Sequence, residues 1–203
     1  STGGFWFLAA WFFFSFSIFF SFGGLWGGPY LMQVYGFSKA ETGNILGMLA
    51  LAMIVGSPVL GWLSDKVLRS RKKVIVLAAF ITLGLTVPLA FFPAAMNRPM
   101  LYLLCFLLGM FNSAVVVVAF TAAKELFPVE IAGTSVGLAN LFPFLGGAIA
   151  PPILGAILEA QEKTAAGYSA QAYSKAFFLY FIFALIALVA SCFITETMQT
   201  KSD

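Results

Sequence analysis

The residues of this sequence that could do chemistry fall into a charged group and an uncharged one. The charged group centres on Gly61-Trp62-Leu63-Ser64-Asp65-Lys66-Val67-Leu68-Arg69-Ser70-Arg71-Lys72-Lys73, which sets Asp65 among five bases. Glu125 and Glu130 follow in Lys124-Glu125-Leu126-Phe127-Pro128-Val129-Glu130. A carboxylate at a helix end accepts hydrogen bonds from a guanidinium or from the free N–H groups that open a neighbouring helix. The arginines can in turn bridge acidic or carbonyl groups on an adjacent helix end. Contacts of that kind make and break with conformation, so their chemistry is that of a latch. A basic segment that only fixes orientation would account for Lys72 and Lys73 equally well. The uncharged group is Ser17, Ser21, Tyr30, Asn44, Asn112 and Asn140, which lie in or at the edge of apolar runs and can hydrogen-bond a polar solute. Bond-making chemistry is not expected. The absence of His removes Ser–His catalysis and imidazole metal ligation, and there is no nucleophile–base pair or carboxylate dyad. Neither an enzyme nor a cofactor is expected.

The elements that position these residues must be membrane helices. Of 203 residues, 61% are hydrophobic and 9% charged, and the mean hydropathy is +0.98. A water-soluble domain of this length would need a charged surface, so the solvent is lipid. The 24 Phe residues exceed what one soluble core would hold and suit a lipid-facing surface. Only helices and closed β-barrels pair every backbone polar group within a bilayer. Barrel strands would alternate in polarity over about ten residues, whereas these runs are twice as long and apolar on all sides. The net charge of +3 is small, and no nucleic-acid partner is expected.

Six spans are expected, at about 5–35, 39–63, 74–92, 100–126, 131–158 and 174–194, forming one bundle over 1–203. At 1.5 Å per residue, residues 5–35 outrun a hydrocarbon core of about 30 Å. A kink or break is therefore expected at Gly23, Gly24, Gly27, Gly28 and Pro29. Ser38-Lys39-Ala40-Glu41 reads as a capping box that opens helix 2. Pro88 interrupts helix 3, Pro143 is expected to kink helix 5, and residues 159–173 form the longest polar loop. Cys105 and Cys192 fall near opposite membrane faces, too far apart to bridge. The start at Ser1 without Met, directly before an apolar helix, points to a fragment or a processed chain.

Six spans put both termini on one side. That side carries Lys66, Arg69, Arg71, Lys72, Lys73, Lys124 and Lys201, and the other carries Lys39, Arg98, Lys163 and Lys175. The basic excess marks the cytoplasmic face. Helices 1–3 and 4–6 form two sets of three. An odd number of spans gives the sets opposite orientation, as inverted-repeat transporters require.

The Gly61–Lys73 run resembles the Gly-x-Leu-Ala/Ser-Asp-Arg/Lys-x-Gly-Arg-Arg/Lys signature of the major facilitator superfamily, which joins helices 2 and 3 of each six-helix half. Leu68 stands where the signature has Gly, and Ser70 splits the basic pair. The longer form looks more like the sugar-phosphate permease branch. Lys124–Thr134 is similar to the family's helix 4–5 connector, whose acids often face the signature loop of the other half; Glu125 and Glu130 match those positions. Phe142-Pro143-Phe144-Leu145-Gly146-Gly147 makes the chain look like a C-terminal half. The resemblance implies half of a major facilitator fold: an all-α membrane protein with two inverted three-helix repeats. Its partner would be an N-terminal six-helix half of the same transporter. The pair would carry a small polar organic solute by alternating access across a plasma membrane, expected to be a bacterial inner membrane. Gly61, Asp65, Lys66, Arg69, Arg71, Glu125 and Glu130 would serve the conformational change. A transporter-like sensor and a half-size homodimer are the other readings, and an isolated half is expected to self-associate partly.

The resemblance also implies that helices 1, 2, 4 and 5 line a central cavity while 3 and 6 face lipid. No Asp, Glu, Lys or Arg lies at mid-membrane, where burying one costs at least about 2.5–3.5 kcal/mol and marks function. This weighs against a phosphorylated substrate. Serines in membrane helices mostly bond their own backbone. Asn112 and Asn140 are costlier to leave unpaired, which favours cavity lining slightly over helix–helix bonding. The stripe Gly133, Gly137, Asn140, Phe144, Gly147 fits close helix packing.

Overall fold

The computed structural model describes residues 2–164 and 167–198. Its six membrane-length helices are α1 (Gly3–Tyr35), α2 (Lys39–Val67), α3 (Arg71–Phe91), α4 (Arg98–Glu125), α5 (Val129–Glu159) and α6 (Ala170–Phe193). Polar side chains set where several of them begin. The Ser38–Glu41 capping box opens α2, with Glu41 N–H donating to Ser38 Oγ at 3.2 Å and Ser38 N–H to Glu41 Oε2 at 3.0 Å. Ser70, Asn97 and Ser169 cap α3, α4 and α6 in the same way, each accepting from a backbone N–H three residues on. Gly36 closes α1 in the left-handed conformation at φ 69°, which costs glycine little.

These caps explain where the helix limits depart from expectation. Ser70 starts α3 three residues before Val74, and Ser169 starts α6 at Ala170 rather than Ser174. The loop expected over 159–173 instead holds a two-stranded ribbon, Lys163–Thr164 against Gly167–Tyr168. Tyr168 N–H donates to Gln33 Oε1 at 2.9 Å, which fastens the ribbon to the end of α1. The glycine-rich stretch of α1 does not break. It widens into a π-turn over Phe22–Trp26 and resumes at Gly27. A matching π-turn, Gly109–Ala114, interrupts α4, and a third, Leu63–Val67, ends α2. Such turns insert one residue without losing the helix and recur at functional positions. α5 runs unbroken through Pro143, Pro151 and Pro152 from Ala132 to Glu159.

The packing follows the expected repeat. α1 lies against α5 and α6, α4 lies against α2 and α3, α1 meets α4, and α3 meets α6. Exchanging α1 with α4, α2 with α5 and α3 with α6 reproduces the same list of neighbours. The α2–α4 and α1–α5 contacts are brought close by glycines. A Cβ on Gly109 of α4 would overlap the Leu49 carbonyl of α2, and one on Gly146 of α5 would overlap the Phe13 carbonyl of α1. Small residues that let backbones touch are the main means of helix association in lipid, where apolar burial drives nothing.

One end of the core is aromatic. Tyr30 of α1 packs on Tyr173 and Phe177 of α6 at ring separations of 5.3 and 5.0 Å. Its hydroxyl donates to the Pro93 carbonyl in the α3–α4 turn at 2.5 Å. α2 and α5 are the least enclosed helices: 28% of each apolar window is buried, against 61% in α1 and 56% in α4.

Candidate functional site

At the end of the bundle where α2 meets α3, the π-turn of α2 presents Asp65 and the first turn of α3 presents Arg71. Arg71 Nη1 pairs with Asp65 Oδ1 and donates to Ser64 Oγ at 3.0 Å. Its Nη2 and Nε grip both oxygens of Glu125, in the last turn of α4, at 3.2 and 3.4 Å. The Arg71 side chain is only 12% exposed, whereas Asp65 is half exposed. A planar guanidinium that holds two carboxylates fixes its partners more firmly than an ammonium would.

The segment after α6 completes the cluster. Glu196 accepts from the Ser70 hydroxyl and from the backbone N–H of Arg71, Thr197 and Met198 at 3.0–3.1 Å. Thr197 Oγ1 donates to Glu125 at 2.6 Å. The ends of α2, α3, α4 and α6 are thus tied together within one chain. Partial burial works to raise the Glu196 pKa, but the hydrogen bonds from Ser70 and the three backbone groups outweigh it and hold the carboxyl below the ordinary glutamate value. The pKa is depressed by folding, so this contribution is complete above the unfolded value of about 4.3 and is lost as pH falls through the folded value. We predict that the 195–198 segment stays docked across the neutral range and releases only in acid. Hydrogen exchange of Thr197 and Met198 measured against pH checks this, and Glu196→Gln should release the segment at every pH.

The other residues expected to serve the conformational change stand differently. Glu125 faces Arg71 of its own half, where the resemblance implied the loop of the other half. Lys66, Arg69 and Glu130 are exposed and form no ion pair among the described residues. Arg69, at φ 44°, instead makes the left-handed bend between α2 and α3. No atom lies within 4 Å of a Cβ placed on Gly61, so no close approach inside this bundle requires that glycine. Lys201 lies outside the described residues.

Four of the six residues expected to bind substrate point into the bundle. Ser17 donates to the Phe13 carbonyl at 2.8 Å, and Ser21 accepts from Tyr180 Oη at 3.0 Å. Asn112, in the π-turn of α4, donates to Ser15 Oγ of α1 at 3.2 Å. These three and Tyr30 are fully enclosed. α1 and α4 are the central helices: Ser17 bonds within its own helix, Ser21 and the Asn112 amide N–H meet a neighbouring helix, and Asn112 Oδ1 is buried without a partner among the described residues. Asn44 of α2 and Asn140 of α5 are exposed.

One helical turn beyond Asn140 lies a shallow cavity of about 340 Å³, lined by Phe20, Gly24, Leu25, Phe144, Gly147 and Pro151. The π-turn of α1 shapes one wall and the middle of α5 the other. Phe20 and Phe144 stack with ring centres 5.7 Å apart. A Cβ on Gly147 would come within 2.7 Å of the Phe20 ring, and Trp26 Nε1 donates to the Pro151 carbonyl at 3.0 Å. Phe144 is 60% exposed and lies one helical turn beyond Asn140. The sequence signal for this wall was the stripe through Gly137, Asn140, Phe144 and Gly147. Phe20 and Leu25 carried none, because α1 is apolar on every face.

No curated protein matches the chain in sequence. The sequence model of the Major Facilitator Superfamily matches residues 5–202. With six apolar helices of membrane length over the same stretch, the chain belongs to the major facilitator superfamily, a family of membrane transporters.

Proposed function

We propose that this chain is the C-terminal half of a twelve-helix transporter that carries a small, uncharged polar organic solute by alternating access. The observation that carries the reading is the open side of the bundle. α2 and α5 bury the smallest share of their surface and expose Asn44, Asn140 and Phe144. An exposed amide one helical turn from a shallow cavity walled by aromatic rings suits a ligand with hydroxyl groups and an apolar face. The partner is an N-terminal half of the same transporter, packed on that side. The absence of a charged residue at mid-membrane in this chain favours a neutral solute even within a sugar-phosphate-permease-like branch. The Arg71 cluster supports the motion, because a bundle tied at four helix ends moves as one body against its partner. The basic end is the cytoplasmic one, in keeping with its lysines and arginines.

Uptake by the complete transporter in sealed vesicles tests this. With an uncharged polyol or sugar as solute, Asn140→Ala should raise KM at least about tenfold, from the loss of one buried polar contact, while Asn112→Ala should lower the amount of folded protein instead. Preferential uptake of phosphorylated sugars, or an unchanged KM in Asn140→Ala, would count against the reading.

A further inference from the structure

On the outer side of the α3–α6 contact, at the same end as Arg71, lies a groove of about 750 Å³. We propose that it binds an anionic glycerophospholipid, with the phosphate on Lys72 and Lys73 and an acyl chain along Leu77, Phe80 and Leu188. The groove is built for a ligand with two unlike ends. Lys72 and Lys73 stand at its lip, and one to two helical turns further into the membrane its walls are Val76, Leu77 and Phe80 from α3 and Leu188 from α6. Leu77 is 38% and Phe80 64% exposed, so the groove opens outward rather than toward the bundle interior. A water-soluble anion would have no use for those walls, and a fully apolar molecule would leave the lysines unsatisfied.

Among the described residues, the charges at the lip are not balanced. Neither lysine lies within 4 Å of a carboxylate among the described residues, and Arg71 is already neutralised by Asp65 and Glu125. Glu196 borders the same groove, but its two oxygens are occupied by Ser70 and three backbone N–H groups. The lip therefore keeps a net positive charge where two flexible lysine stems can reach the headgroup layer. Basic pockets between membrane helices select anionic headgroups for this reason.

Native mass spectrometry of the whole chain in detergent, with one defined lipid added at a time, tests the proposal. Phosphatidylglycerol should stay bound, one per chain, at collision energies that strip phosphatidylcholine and phosphatidylethanolamine. The double variant Lys72→Gln with Lys73→Gln should lower the bound fraction roughly tenfold or more. Lys72→Arg with Lys73→Arg should keep it, as should Lys124→Gln, whose base lies at the same end but outside the groove. Leu77→Trp, which fills the groove without changing its charge, should also lower it. Equal retention of phosphatidylglycerol and phosphatidylcholine by the unmodified chain would overturn the proposal, whatever the variants do. So would an equal loss in Lys124→Gln, or displacement of the lipid by free glycerol phosphate.

Discussion

Replacing Arg71 by Ala should loosen the bundle and abolish most transport, while Arg69→Ala two residues earlier should change neither by much. Arg71 is nearly enclosed and holds Asp65 and both oxygens of Glu125. Its loss leaves two carboxylates facing each other with no cation between them. Exposed ion pairs contribute about 0–1 kcal/mol, and breaking a fully buried one costs about 3–5 kcal/mol. With Asp65 half exposed and Glu125 about one-third exposed, a loss of about 2 kcal/mol lies between these limits. Arg71→Lys should recover part of it, because an ammonium keeps the charge but cannot form the two-pronged grip on Glu125. Thermal unfolding in detergent reads the stability. Hydrogen exchange at Ser64–Ser70 and at Thr197 shows whether the four helix ends part together. A stable Arg71→Ala with full transport would mean that the cluster is only surface charge.

Tyr30→Ala should unfold the opposite end. The ring is fully buried among Tyr173, Phe177, Phe22 and Tyr35, and its hydroxyl holds the Pro93 carbonyl. Removing a buried aromatic ring costs about 3–5 kcal/mol in a soluble core, through transfer and cavity terms. In lipid the transfer term shrinks, and the Pro93 carbonyl still accepts from Tyr35 Oη at 2.8 Å, which leaves mainly lost packing, so about 3 kcal/mol, the low end of that range, is expected. Tyr30→Phe keeps the packing and loses one hydrogen bond, about 1 kcal/mol. It should transport with unchanged KM, since the hydroxyl faces Pro93 and not the cavity. A large rise in KM for Tyr30→Phe, with the protein stable, would return Tyr30 to the substrate site.

The fate of Tyr30 shows which parts of the molecule were legible in the residues alone. Span number and the α2 start at Ser38 followed from apolar run length and one capping box, both local signals. The pairing of Asp65 with an arginine followed from charge placed at a helix end. Which arginine could not follow, because Arg69 and Arg71 differ only in the backbone bend at φ 44° that turns one outward and the other toward Glu125. Glu196 was invisible for a similar reason: its partners Ser70 and Arg71 are 126 and 125 residues away along the chain. In a helix apolar all round, periodicity does not separate the buried face from the open one. Asn112 therefore looked as available as Asn140 until the neighbours of α4 were known.

The central claim is that the α2–α5 side of the bundle, with Asn140 exposed one helical turn from its cavity, faces a solute path shared with a second half. Thiol labelling of the complete transporter in sealed vesicles tests it most directly, using Asn140→Cys with Cys105 and Cys192 replaced by Ala. A membrane-impermeant reagent should reach position 140, and transported solute should slow the reaction. Phe80→Cys, in the outward groove of α3, should be indifferent to solute. A position 140 that is closed to aqueous reagent from both sides, or that reacts equally with and without solute, would contradict the account.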